Sequence, residues 1–375
     1  MTGSEPLIVV NGATGRIGRR VCAELAGGQL AVAGRDPGKL GTLGVADVRD
    51  VYTEADLETA FAGARVVVNC AVGQGDAALA AALAAGADYI DVTAEQAKIL
   101  GMYERFESAA RHSGLVALPG AGVACALGDW AAAWAAAHVC GEQLDATEVV
   151  RRAPASRLAD DRPLDEIAVT YLFDDLVLSP ASQREIFTGL HGKALAWRRD
   201  RWESVAPAAE RRRVNGGPRF GGERDAASFP GGEAITVPRH AAAHLVQTYA
   251  STTRNAAAGT ALRLLARAMP LVPKRAAELL APFTPAESDY ERTQFAIVAQ
   301  ARRGFAAAQV VVSGHDLYQT TAVIAAWIAK AIATRSAGPV GVCAPSELFV
   351  PSLALYELAP LAGLSVEPSF GSARR

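Results

Sequence analysis

Over the first third of the chain, short apolar runs alternate with stretches in which apolar residues recur every three or four positions. Leu7 to Val10 is a four-residue apolar run closed by Asn11 and Gly12, a buried strand by length and composition. After Gly12-Ala13-Thr14-Gly15-Arg16-Ile17-Gly18, the residues Ile17, Val21 and Leu25 keep helical spacing until Gly27-Gly28 supplies a stop. The same pattern predicts strands at Leu30–Ala33, Val45–Val51, Arg65–Cys70, Tyr89–Val92 and Leu115–Leu118. It predicts helices over 54–62, 76–85 and from about Ala94 to Gly114. Strand–helix alternation with short connections means an α/β architecture, a doubly wound parallel sheet covered on both faces.

From about Ala124 the alternation weakens. An alanine-rich helix is predicted over Asp129–Val139, with strands at Glu148–Arg152 and Glu166–Phe173. Gln294–Ala301 and Ala308–Ser313 read as paired antiparallel strands around Arg302-Arg303-Gly304. A helix from about Thr320 to Thr334 presents Val323, Ile324, Trp327, Ile328 and Ile332 to a core. A length of 375 residues fits about two domains.

Charge narrows the partners. Lys+Arg number 37 and Asp+Glu 39, a formal net charge of −2, so the basic surplus of a nucleic-acid-binding protein is missing. The run Arg211-Arg212-Arg213 is offset by Glu203, Glu210, Glu223 and Asp225 and reads as a solvated hairpin or loop. The five cysteines are odd in number and lack C-x-x-C spacing, which fits reduced thiols and a cytoplasmic location. The opening MTGSEPLIVV does not read as a signal peptide. No transmembrane segment is expected, because the most apolar window, 123–140, is interrupted by Asp129 and His138.

The glycine motif carries the chemistry. A Gly-x-x-Gly-x-x-Gly pattern is weak alone, but here it sits between a strand and a helix. Glycines allow a tight turn and a close backbone approach, and the helix start offers unpaired N–H groups to a diphosphate. Gly12, Ala13, Thr14, Gly15, Arg16, Ile17 and Gly18 are therefore the expected diphosphate cradle of a dinucleotide. At the tip of the second strand, Arg35 and Lys39 can pair with a 2′-phosphate, favouring NADP(H) over NAD. Asp36 followed by Pro37 reads as a helix N-cap. Asp50 and Val51 are expected to flank the adenine. Cys70, Ala71, Val72 and Gly73 are expected along the nicotinamide-side ribose, with Cys70 an apolar thiol in preference to a nucleophile.

Several segments together resemble the saccharopine dehydrogenase-like oxidoreductases. They are VVNGATGRIG, AGRDPGKL, VVVNCAVGQG, GADYIDVTAE and LPGAG in the first 122 residues, and FTPAESDYERTQFAIVAQARRG and VVVSGHDLYQTTA downstream. The chain departs from the family pattern at Val123-Ala124-Cys125-Ala126-Leu127, after the PGAG turn. The resemblance implies an NADP-binding Rossmann domain over 1–122. It implies an α+β substrate and dimerisation domain over 123–318, and a segment 319–375 returning to the first domain. It also implies hydride transfer to or from a C=N, C=C or C=O bond of a small-molecule or carrier-linked substrate. A trans-acting enoyl reductase of lipid or polyketide pathways, or a non-catalytic NADP-binding redox sensor, are the alternatives. A homodimer fits as well.

The proton donor is open among three residues. None of the tyrosines has the lysine four residues on that short-chain dehydrogenases use, which leaves Tyr318, His240 and Glu95. Each has a structural reading beside it. Tyr318 can pack between domains, His240 can be a satisfied core histidine, and Glu95 fits a first-turn charge in Thr93-Ala94-Glu95-Gln96. His240 and His244 share a face but lack a third ligand, so no metal is expected. Residues 262–280 form an apolar stretch with basic edges, read first as domain packing or a dimer contact and second as a peripheral membrane or acyl-carrier contact.

Overall fold

A computed structural model describes residues 5–141, 162–191, 194–206, 208–217, 219–220, 222–252, 260, 264, 266–268 and 285–370. The expected strand Glu148–Arg152 and nearly all of the 262–280 stretch lie outside the described residues. The chain forms two compact units. One comprises Met1–Ala94, Lys98–Val123 and Tyr318–Leu348; the other comprises Glu95–Ala97, Ala124–Leu317 and Phe349–Arg375.

The first unit is a parallel sheet. Its strands are β1 (Ile8–Asn11), β2 (Leu30–Gly34), β3 (Asp47–Asp50), β4 (Val66–Asn69), β5 (Asp88–Asp91) and β6 (Val116–Leu118). β1, β4, β5 and β6 are buried at every position, as strands covered on both faces must be. The order runs from the two-residue strand Gly341–Val342 through β6, β5, β4, β1 and β2 to β3. The sheet therefore winds outward in both directions, and its switch point lies between β1 and β4. Helices α1 (Arg16–Glu24), α2 (Pro37–Gly41), α3 (Leu57–Phe61), α4 (Gly75–Ala84) and α5 (Gln96–Ser113) connect the strands.

The later helix Leu317–Thr334 closes this unit. Gln319 Nε2 donates to Glu24 Oε1 at 2.8 Å, and Lys330 Nζ donates to the Glu24 carbonyl at 2.7 Å. Asp88, fully buried, pairs with Arg65 at 2.6 Å and with Arg335 at 3.4 Å, and accepts from the Val116 amide at 2.7 Å. One carboxylate thus joins β5, β6 and the returning segment.

The second unit is built on a mixed sheet of β7 (Glu166–Asp174), β8 (Ala194–Arg198), β9 (Arg201–Val205), β10 (Arg211–Asn215), β11 (Glu223–Ser228), β12 (Leu245–Ser251), β13 (Gln294–Arg303) and β14 (Ala306–His315), with Ser365–Phe370 at one edge. β13 and β14 pair antiparallel from Gln294 opposite His315 to Arg303 opposite Ala306, as the pattern predicts. The arginine run lies on the β10–β11 hairpin. Arg211 meets Asp225 at 2.8 Å and Arg212 meets Glu166 at 2.6 Å, so acidic neighbours neutralise it.

Helix α6 (Gly128–Cys140) packs on β13 and β14 and is buried along its length except at His138 and Cys140. Its alanines let the helix approach the sheet closely, while Trp130 and Trp134 fill the gaps against Phe349 and Tyr356. The stretch Val123–Cys140 has the length and hydropathy of a membrane span, and 83% of it is buried inside the molecule.

The segment 319–375 does not return to the first domain as one piece. Residues through Leu348 join the parallel sheet, whereas Ser365–Phe370 pairs antiparallel with β14, from Ser313 opposite Ser365 to Ala308 opposite Phe370. The reason is the open edge of β14, whose unpaired backbone groups need a partner strand. Replacing Asp88 with Ala leaves Arg65 and Arg335 without their buried partner, and an expected loss of about 3 kcal/mol should be read in urea unfolding.

Candidate functional site

The turn after β1 is tightly packed against the loop after β4. Gly12 takes φ +74° and donates its amide to the Ala33 carbonyl at 3.0 Å. A Cβ on Gly12 would stand 2.7 Å from the Ala71 nitrogen, so β1 and β4 leave the sheet closer together than any side chain permits. Gly18 plays a matching part in α1. A Cβ there would fall 2.3 Å from the Gly12 carbonyl oxygen, so glycine lets the first helical turn rest on the loop. Gly15 is the exposed N-cap and its amide is used by the Gly12 carbonyl at 2.9 Å. Helix α1 carries no side-chain cap and no acidic residue in its first turn. The amides of Arg16, Ile17 and Gly18 lack intrahelical acceptors, and they sit at the positive end of the helix dipole.

Beneath this turn runs a polar row. Asn11, Asn69 and Asp91 end β1, β4 and β5 in register and are all buried. Asn11 Nδ2 donates to Asn69 Oδ1 at 2.9 Å and to Gln74 Oε1 at 3.3 Å. Asn69 Nδ2 donates to Asp91 Oδ2 and to the Tyr89 hydroxyl, each at 3.0 Å. Tyr89 donates to Asp91 Oδ2 at 2.6 Å, and the Thr93 amide donates to Asp91 Oδ1, also at 2.6 Å. Burial pushes the Asp91 carboxyl above the ordinary range, and the bonds from Tyr89, Asn69 and Thr93 offset part of that push. Burial likewise holds the Tyr89 phenol well above its usual value. Asn69 Oδ1 also accepts from the Ala71 amide at 3.2 Å, tying the row to the loop that faces Gly12. Reading the sequence for chemistry missed this row. Its signal is the polar residue that closes each of three neighbouring strands: IVVN, VVVN and DYID.

The expected cofactor residues fall around the same edge. Arg35 is exposed at the end of β2 and has no partner among the described residues. Lys39 differs from expectation: its ammonium pairs with Asp36 at 3.0 Å, and Asp36 also caps α2 by accepting from the Lys39 amide at 3.1 Å. The Lys39 amide and ammonium hold the Asp36 carboxyl below its ordinary value. Asp50 is exposed and accepts from the Tyr52 hydroxyl at 3.3 Å, while Val51 is buried, its amide donating to the Gly34 carbonyl at 2.9 Å. Ala13 is buried and Thr14 half-buried. Cys70 is half-buried, and burial, with Cys22 and Asp91 nearby, drives its thiol far above the range of a nucleophile. Val72 and Gly73 are exposed on the loop beyond it, with Gly73 at φ +85°.

The three proton-donor candidates are not brought together within one unit. Tyr318 belongs to the first unit and is buried, with the Arg16 guanidinium 5.7 Å from its ring centre. His240 and Glu95 belong to the second. His240 is buried and its Nε2 lies 2.9 Å from Asp129 Oδ2 on α6, the satisfied core histidine of the structural reading. Glu95 is half-buried just before α5, which begins at Gln96. His244 engages the chain through its backbone, donating to the Leu164 carbonyl and accepting from the Arg199 amide. Among the described residues no group of His, Cys, Asp and Glu has the geometry to hold a metal. Gln96 was overlooked in the sequence. Its buried amide donates to the Leu195 and Gly231 carbonyls at 2.8 and 3.1 Å and accepts from the Leu195 amide at 2.7 Å.

No family model and no curated protein matches the chain. Solved structures do match. The apo saccharopine dehydrogenase (L-Glu forming) of Saccharomyces cerevisiae aligns over 98% of this chain and 100% of its own, at 12% identity and a TM-score of 0.62. The DAP dehydrogenase of C. glutamicum, solved with DAP, aligns over 94% of this chain and 96% of its own, at 13% identity and a TM-score of 0.45. The first likeness shows that this chain has the saccharopine dehydrogenase fold, the fold that the sequence motifs resemble.

Asn69→Ala removes four hydrogen bonds from a buried row and leaves Asn11 and Asp91 short of partners. A stability loss of about 2 kcal/mol is expected in urea unfolding, the range for buried polar groups left unsatisfied.

Proposed function

We propose that the chain is an NADP(H)-dependent oxidoreductase that transfers a hydride to or from a C=N, C=C or C=O bond of a small metabolite. The observation that carries the reading is the uncapped start of α1 resting on a glycine turn at the sheet's switch point, where anionic ligands bind in doubly wound folds. The cradle fits the group. Glycine at 12 and 18 keeps a Cβ out of the closest backbone approaches of the turn, and the three helix-start amides have no intrahelical acceptor.

In this reading Gly12 to Gly18 hold the diphosphate, and Asp50 and Val51 border the adenine. Cys70 to Gly73 line the ribose on the nicotinamide side. Arg35, exposed and unengaged among the described residues, supplies the guanidinium for a 2′-phosphate. Lys39 contributes less, because Asp36 already neutralises it. The bound cofactor supplies the hydride, and the protein orients it and manages protons. Tyr318 is the donor candidate that this geometry favours, since its ring lies under Arg16 at the cradle. The Asp129 bond gives His240 a structural task instead. The saccharopine dehydrogenase fold supports an oxidoreductase and leaves the substrate to experiment.

Calorimetry with NADPH and NADH tests the cofactor. Arg35→Ala should weaken NADPH by roughly 10- to 100-fold, the worth of one charge-assisted pair, and leave NADH within about twofold. Lys39→Ala should have a smaller effect. Absence of affinity for either nucleotide in folded protein would overturn the assignment. In a panel of imine, enoyl and carbonyl compounds, Tyr318→Phe should slow turnover while nucleotide affinity stays unchanged.

A further inference from the structure

The second unit buries ionisable groups that the dinucleotide reading does not use. Glu233 opens the short helix Glu233–Thr236 and is fully buried. Its Oε1 accepts from the Tyr171 hydroxyl on β7, and that hydroxyl accepts from the Cys125 amide at 3.0 Å. Its Oε2 meets no donor among the described residues. Space for the carboxyl comes from two glycines. A Cβ on Gly128 would fall 2.1 Å from Oε1, and one on Gly231 would fall 2.8 Å from Oε2.

No cation answers this carboxyl among the described residues. β7 contributes Tyr171, and the wide turn Val123–Leu127 contributes Cys125. α6 contributes Asp129, itself fully buried and bonded to His240, which follows the turn Val237–Arg239. β12 contributes Thr248, whose hydroxyl donates to the Phe229 carbonyl. The arginine of β8, Arg198, is bonded to Glu210 and Gln247. An ionised Glu233 would lose its hydration and face Asp129 without a counter-charge. Burial pushes its carboxyl up to about 8, with a further upward push from Asp129 and partial relief from the Tyr171 bond and its own backbone amide.

The turn that Tyr171 holds is strained. Cys125 sits at φ 115°, ψ −63°, a conformation that L residues rarely adopt. Its amide is fixed by Tyr171, and its Sγ lies 3.9 Å from Thr236 Oγ1 on the Glu233 helix.

We propose that Glu233 is a neutral carboxylic acid in the folded protein at neutral pH, that with Tyr171 it latches the strained turn at Cys125, and that an ionised carboxylate there, unhydrated and without a counter-charge, loosens that turn. The linkage has a definite sign. An unfolded glutamate loses its proton near pH 4.3, roughly, while the folded one keeps it. Between that point and about 8 the folded state binds the extra proton, so stability falls as pH rises. The limit is about tenfold in the folded-to-unfolded ratio per pH unit. Above the upper value the folded state has also lost its proton, and this dependence ends.

The test uses the full chain labelled with ¹³C-glutamate, which separates Glu233 from Asp91 and Asp129. An infrared band of a protonated carboxyl is expected at pH 7. It should shift in Tyr171→Phe, vanish in Glu233→Gln, and fade in the wild type with a midpoint near 8. Thermal unfolding from pH 5 to 9 should show the wild type losing stability against Glu233→Gln as pH rises. Amide exchange at Cys125 should match between the two at pH 7 and run faster in the wild type above pH 8. No glutamic-acid band at pH 7, or parallel pH profiles for the two proteins, would overturn the proposal. If Glu233→Gln does not fold, the wild-type band and its titration decide the matter alone.

Discussion

The first unit depends on one close approach, the passage of the Gly12 backbone against Ala71 where β1 and β4 leave the sheet. Parallel strands hold their partners along their length, but at their ends the chains must diverge into loops of opposite direction. Here the loops start almost in contact, and they are held so by the amide row of Asn11 and Asn69 just below. Because those side chains are satisfied by one another and by Asp91 and Tyr89, the sheet edge can be polar and still buried. The polar row thereby fixes the backbone of the turn above it through the bond from the Ala71 amide to Asn69.

The two units handle buried acids differently. In the first, Asp88 is answered by two arginines, and Asp91 by a fan of neutral donors. In the second, Asp129 has a histidine, and Glu233 has a phenol and an oxygen without a donor. Protonation state follows from that partner chemistry as much as from depth. This is why residues equally hidden from water take up separate roles.

Much of the first unit is legible in the sequence because its strands are covered on both faces. IVV, LAVA and VVV are continuous apolar runs, and each is followed by a glycine or an amphipathic helix at the proper distance. Boundaries moved by a residue or two, where polar end residues such as Asn11 and Asp88 join the strands. The tight turn after β1 is legible because only glycine meets its steric demands at 12 and 18. The row beneath it is not, since a pattern along the chain does not reveal that Asn11, Asn69 and Asp91 fall side by side across strands. The pairing of Lys39 with Asp36 illustrates the same limit: two residues that suggest separate tasks in sequence are one ion pair in space. In the second unit the helix α6 and the β13–β14 pair were evident from periodicity. The seat of the last strand against β14 depends on which sheet edge is open, a property of the assembled fold.

The interleaving of the chain has a consequence for how the molecule is made. The parallel sheet gains its final strand and closing helix from residues 318–348, and the mixed sheet gains its edge from 365–370. Neither unit is complete until these late residues have been made. The nascent chain therefore emerges with alanine-rich α6 already translated and its covering strands β13 and β14 more than 150 residues away. That apolar stretch stays without its sheet for much of synthesis, an interval in which exposed apolar surface is prone to wrong contacts.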